Sequence, residues 1–134
     1  MILLIKFVLH SSTSGSKGGT LLTIEDVEKL KVRADMVVLS ACHTARGKIS
    51  SEGVLGLARA FLIAGAKSVV TALWAIPDAA TEHFMKQFYS NLRDGQPVAN
   101  ALSTTMCQMQ DKDAFKNVVH WGSFKVLGAN QRVF

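Results

Sequence analysis

The sequence predicts an α/β fold, one open sandwich in which helices cross over between the strands of a mostly parallel sheet. Two observations carry this expectation. Short continuous apolar runs alternate with segments whose apolar residues recur at helical spacing, and the stretches between runs are long enough for parallel pairing. The resulting order is β-α-β-α-β-α-α-β. A length of 134 residues suits one domain with a modest core, and neither an internal repeat nor a dividing linker interrupts it.

Each element has its own signal. Residues 2–9 are apolar apart from Lys6, with β-branched Ile2, Ile5 and Val8, and read as a buried strand. Residues 11–20 are rich in Ser and Gly and read as a loop; Lys17 precedes the glycine pair, so the phosphate-loop order is absent. Thr23 is placed to cap a helix running through Leu30, with Glu25 and Asp26 in its first turn. Residues 35–40 form the next strand. A helix over 52–64 carries Val54, Leu55, Ala58, Phe61 and Leu62 at helical spacing, and Gly65 suits its left-handed C-terminal cap. Gly56, inside this helix, is expected to allow close helix–sheet packing.

Residues 67–73 read as the third strand. Asp78 is placed to cap the helix that follows, on which Phe84, Phe88 and Leu92 share a side. Gly95 breaks that helix, and Pro97 suits the first turn of another. The inner stripe of this second helix is Val98, Ala101, Leu102, Thr105 and Met109. Residues 121–127 complete the sheet.

Composition narrows the function classes. Apolar residues make up 49% and charged residues 19%, which excludes a disordered chain and suggests surfaces that a partner covers. The net charge of +5 comes from scattered lysines and arginines without interleaved aromatics, so nucleic acid is not the expected partner. No 18-residue apolar run is present, so no membrane span is expected. Two cysteines make a poor disulfide framework, which points to a reducing, cytoplasmic setting.

Cys42 is the leading chemical candidate. It follows the apolar strand Val37-Val38-Leu39-Ser40-Ala41, and reactive groups in parallel sheets gather beyond the strands' C-terminal ends. Arg46 and Lys48 bring positive charge nearby, and Gly47 permits a tight turn, features that lower a thiol's pKa. The alternative is a small buried hydrophobe. His43 is the neighbour of Cys42, and adjacent side chains in extended backbone point apart, so a direct dyad is not expected. His10 ends the first strand and is the other histidine within conceivable reach. His83 reads as a surface residue, His120 as part of a turn, and Cys107 as core or interface filler. No histidine pair has ligand spacing, so neither metal nor cofactor is expected. Trp74 leaves the strand after that of Cys42; it either borders a peptide-binding cleft or seals a rim. Asp78 either binds a basic substrate side chain or simply caps its helix.

Several motifs together resemble the CHAT domain, a family related to the caspases and separase that often follows tetratricopeptide repeats. They are Leu39-Ser40-Ala41-Cys42-His43-Thr44, the stretch from Glu52-Gly53-Val54 to Ala60-Phe61, Ala64-Gly65-Ala66-Lys67-Ser68-Val69-Val70, Leu73-Trp74-Ala75-Ile76-Pro77-Asp78, and Trp121-Gly122-Ser123-Phe124-Lys125-Val126-Leu127-Gly128. The resemblance is strongest over residues 20–128 and treats 1–134 as one partial domain. It implies a caspase-like three-layer sandwich in which Cys42 matches a cysteine endopeptidase nucleophile, His43, Arg46 and Gly47 support its loop, and Trp74 and Asp78 line a substrate pocket. Pro77 departs from the family pattern before Asp78.

The family's catalytic histidine lies in a His-Gly motif upstream of a segment that looks like Leu22-Thr23-Ile24-Glu25-Asp26, whereas His10 is followed by Ser11. The resemblance therefore implies a domain truncated at its N-terminus and inactive alone, with a sheet edge open to self-association. In the intact domain the partner would be a peptide or protein substrate. The alternative function is a non-catalytic interaction or scaffold module attached to a helical-repeat region.

Overall fold

The computed structural model describes residues 2–7, 24–41 and 51–134. Four strands form one sheet in the order β1 (Ile2–Phe7), β2 (Met36–Ala41), β3 (Ser68–Ala72), β4 (Phe124–Gly128). The first two pairings are parallel, with Ile2 opposite Met36, Phe7 opposite Ala41, and Leu39 opposite Thr71. The third is antiparallel, with Ala72 opposite Phe124 and Ser68 opposite Gly128. The fold is therefore α/β with a small mixed sheet, in which the last strand departs from the parallel direction of the other three. Its cause is the pair of helices between β3 and β4. One helix carries the chain back along the sheet, and the second returns it to the end it left. The Leu73 amide accordingly donates to the carbonyl of Ser123, just ahead of β4, at 2.9 Å.

Alternation along the strands divides the core in two. On one face Val37, Leu39 and Val69 pack with Val27 of α1 (Ile24–Glu28) and with Leu57, Ala58 and Phe61 of α2 (Ser51–Ala64). On the other, Met36, Val38, Val70, Ala72 and Phe124 meet α3 (Asp78–Arg93) and α4 (Val98–Gln110). All five residues of β3 are buried, because helices cover it on both sides. Helix α1 stops two residues before the expected end. Its final turn tightens, with the Leu30 amide donating to Val27 O at 3.0 Å, and Val32 then donates to Ala64 O at 2.8 Å. The expected cap at Thr23 lies outside the described residues.

Helix α2 closes as the sequence predicts. The Ala66 amide donates to Phe61 O at 3.0 Å and the Gly65 amide to Leu62 O at 3.2 Å, the paired bonds of a Schellman cap. Gly65 has φ +118°. Gly56, by contrast, faces another helix: a Cβ there would lie 3.3 Å from Ile24 Cδ1. Its role is close packing of α1 on α2, not of α2 on the sheet.

On α3 the buried residues include Phe84, Phe88 and Leu92, and on α4 they are Val98, Ala101, Leu102, Thr105 and Met109, the expected stripes. The two helices are tied by buried Asn91, whose Nδ2 donates to Thr105 Oγ1 and Gln108 Oε1, both at 3.0 Å. Cys107 is exposed, not core filler. It stands two residues from Thr105, which turns it roughly 200° around the helix from the buried stripe. Pro97 is the N-cap residue of α4 and offers no side-chain cap. The chain end supplies it instead: Val98 N–H donates to Gln131 O at 3.0 Å and Ala99 N–H to Asn130 Oδ1 at 2.9 Å. Near the opposite end of β3, Lys67 Nζ lies 2.7 Å from Asp35 Oδ1 and holds that carboxyl down at about 2.

Candidate functional site

The parallel pairings bring the C-terminal ends of β1, β2 and β3 to one edge of the fold, where β4 enters. Cys42 is the next residue in the chain after β2 ends at Ala41. Cys42, His43, Arg46 and Gly47 lie outside the described residues, as does His10. Trp74 and Asp78 are described, two and six residues after β3.

Trp74 is held from three directions. Its amide donates to Ser123 Oγ at 2.8 Å, and that hydroxyl donates back to Trp74 O at 2.9 Å. The indole Nε1–H donates to Val119 O at 3.1 Å. Despite these bonds the side chain remains 41% exposed, flanked by Val119 at 41% and Val118 at 56%. Gly122 makes the arrangement possible. A Cβ there would sit 2.8 Å from Val118 Cγ2 and 3.7 Å from the Trp74 ring. The result is an exposed apolar patch of Trp74, Val118 and Val119 in which the indole is tethered through its N–H.

Asp78 is exposed and is the first residue of α3. The N-cap position belongs to Pro77, with no side-chain cap bond, so the expected capping role of Asp78 is corrected. Its missing duty follows from phase: an N-cap side chain must precede the first helical residue to reach the free amides.

Two short 3-10 turns, at Asp113–Phe115 and Val118–His120, precede β4, and the second carries Val118 and Val119 of the patch. Asn117 caps the second turn by accepting from the Val119 amide at 3.0 Å. Trp121 Nε1–H donates to Lys116 O at 3.3 Å. His83 is half-buried, where the sequence suggests a surface position, because its ring stacks on Phe115 with centroids 5.1 Å apart. His120 meets the same phenyl ring edge-on at 5.9 Å. Beside His83, the Lys86 ammonium pairs with Glu82 at 2.7 Å and lowers its carboxyl pKa. Among the described residues, no three His, Cys, Asp or Glu side chains gather as metal ligands, and no helix is long and apolar enough to cross a membrane.

Sequence reasoning found Trp74 but missed Ser123, Val118 and Val119, its partners. The only signal was the small-residue pair Gly122-Ser123 just before a strand, beside the aromatic Trp121.

Comparison with known proteins agrees with the motifs. The CHAT domain family matches residues 5–129. Tetratricopeptide repeat protein 28 of Mus musculus is 36% identical over 113 residues, covering 84% of this chain. Its Homo sapiens counterpart matches to the same extent. The chain spans only 5% of the length of either relative. With a family match across nearly its whole length, this chain belongs to the CHAT domain family.

Proposed function

We propose that this chain is a non-catalytic protein-interaction module that works with a tetratricopeptide-repeat region, and that Trp74 is its anchor. The observation that carries this reading is the exposed Trp74 indole, tethered through its N–H to Val119 O beside the exposed Val118 and Val119. Aromatic side chains fixed in advance lose little entropy on docking and dominate binding energies at interfaces. A helical-repeat partner is suggested by the names of the relatives, tetratricopeptide repeat proteins. The proposal includes a caspase-like three-layer sandwich, a cytoplasmic setting, and self-association through a sheet edge as a secondary mode.

The second reading is a cysteine endopeptidase domain. Its support is the place of Cys42 in the chain, directly after β2 at the sheet end from which Trp74 emerges. In that reading Cys42 is the nucleophile, His43, Arg46 and Gly47 shape its loop, and Trp74 and Asp78 contact a peptide. Amide cleavage also needs a base for the thiol, a proton for the leaving amine and donors for the oxyanion. His83 and His120 are both engaged with Phe115.

The pH dependence of Cys42 alkylation separates the readings, measured with Cys107→Ala because Cys107 is exposed. The interaction module predicts a thiol titrating near the free-cysteine value of about 8.5. A thiolate already formed well below neutral pH, accompanied by peptide turnover, would replace that reading with the peptidase.

A further inference from the structure

Helix α1 covers only part of one face of α2. Gly56, Arg59 and Ile63 recur at spacings of three and four, so they share one side of α2. Ile24 of α1 packs on this side at Gly56, where a Cβ would lie 3.3 Å from Ile24 Cδ1. But α1 is five residues long and ends at Glu28, whereas α2 runs for fourteen, from Ser51 to Ala64. The rest of the shared side is therefore bare. Arg59 is exposed, and Ile63, at 68%, is the most exposed large hydrophobic side chain among the described residues. Ile24 and Leu30 are exposed as well.

Charge is distributed unevenly over this surface. The two helices run the same way, with Ile24 beside Gly56 and the Val32 amide bonded to Ala64 O. Exposed Lys29, Lys31 and Arg33 lie on the connection that reaches Ala64, and Arg59 stands one turn before Ile63. Among the described residues none of these four forms an ion pair. The neighbouring carboxylates, Glu25, Asp26, Glu28 and Glu52, belong to α1 and to the first turn of α2. The surface is acidic where the helices start and basic where they end, and Leu30 and Ile63 lie at the basic end.

We propose that this face is a docking site for an amphipathic helix of another protein, with carboxylates along the half that meets Ile63. Gly56 and Ile63 are seven residues apart, about 10 Å or two helical turns. A helix laid beside α2, with apolar residues seven apart, touches Ile24 and Ile63 together and occupies the side that α1 is too short to cover. Arg59 falls between those contacts and meets a partner carboxylate. Lys29, Lys31 and Arg33 favour acidic residues at the Ile63 end, while Glu25, Glu28 and Glu52 repel them at the other. This surface is separate from the Trp74 patch: Ile63 lies five residues before β3 begins and Trp74 two residues after it ends.

The probe is a synthetic helical peptide with two leucines seven residues apart, lysines flanking the first and glutamates flanking the second. It is titrated by calorimetry into the intact chain. Arg59→Glu is expected to weaken binding about tenfold or more, and a peptide with lysines in place of the glutamates is expected to restore it. Ile63→Ser is expected to weaken binding of both peptides. Both side chains are exposed, so the variants should keep the fold, which far-UV circular dichroism checks. Trp74→Ala should bind the first peptide as wild type does. No binding by the wild-type chain, equal wild-type affinity for the two peptides, or loss of binding in Trp74→Ala would overturn the proposal. So would binding to phosphatidylserine vesicles that Ile63→Ser abolishes, which would make the face a lipid-binding surface. Failure here leaves the docking role of Trp74 standing, and failure of that role leaves this site standing.

Discussion

Phe84→Ala is expected to destabilise the fold by about 3–5 kcal/mol, the cost of emptying a phenylalanine site in a core that closes only partly around the void. Phe84 is fully buried on α3, its ring stacked on Phe124 with centroids 3.8 Å apart and on Phe88 at 6.4 Å. It joins α3 to the strand whose direction the helix pair determines. Deleting it removes its own burial and the aromatic pairing together. Total stability of a domain this size is about 5–15 kcal/mol, so the variant should unfold at far lower urea concentration. Phe84→Leu keeps most of the volume and is expected to cost much less. A loss below about 1 kcal/mol in Phe84→Ala would mean that α3 does not pack on β4 as described.

Gly65→Ala is expected to cost about 1–3 kcal/mol, from forcing a side chain into the positive-φ region. Here a second penalty adds to it. The new Cβ would lie 2.5 Å from the carbonyl oxygen of Val32, a backbone atom that cannot rotate away. Val32 is itself bonded to Ala64 O, so relief must shift the α1–β2 connection and the cap of α2 together. Urea unfolding of the folded variant measures the sum. Stability equal to wild type would contradict the cap geometry.

The sequence disclosed most where one residue's neighbours in the chain are also its neighbours in space. The stripes of α3 and α4 were legible because both helices bury a single side, and the spacing of Phe84, Phe88 and Leu92 records it. The Gly65 cap was legible for the same reason, its bonds closing within six residues. For Cys107 only the core half of the reading is overturned: its phase on α4 places it outside, as a surface residue. The direction of β4 was hidden because it depends on how two consecutive helices fold back, not on the strand's own residues. The setting of Trp74 was hidden by distance along the chain, since Ser123 and Val119 are 49 and 45 residues away. Cys42 and the residues that follow it lie outside the described residues.

The most direct test of the proposed function is the affinity of two variants for a tetratricopeptide-repeat region, measured by calorimetry beside the wild-type chain. An interaction module anchored by Trp74 predicts that Cys42→Ala binds as wild type does, while Trp74→Ala weakens binding by about tenfold or more. Trp74→Ala binding at wild-type strength, or binding that disappears with Cys42→Ala in a folded chain, would contradict it.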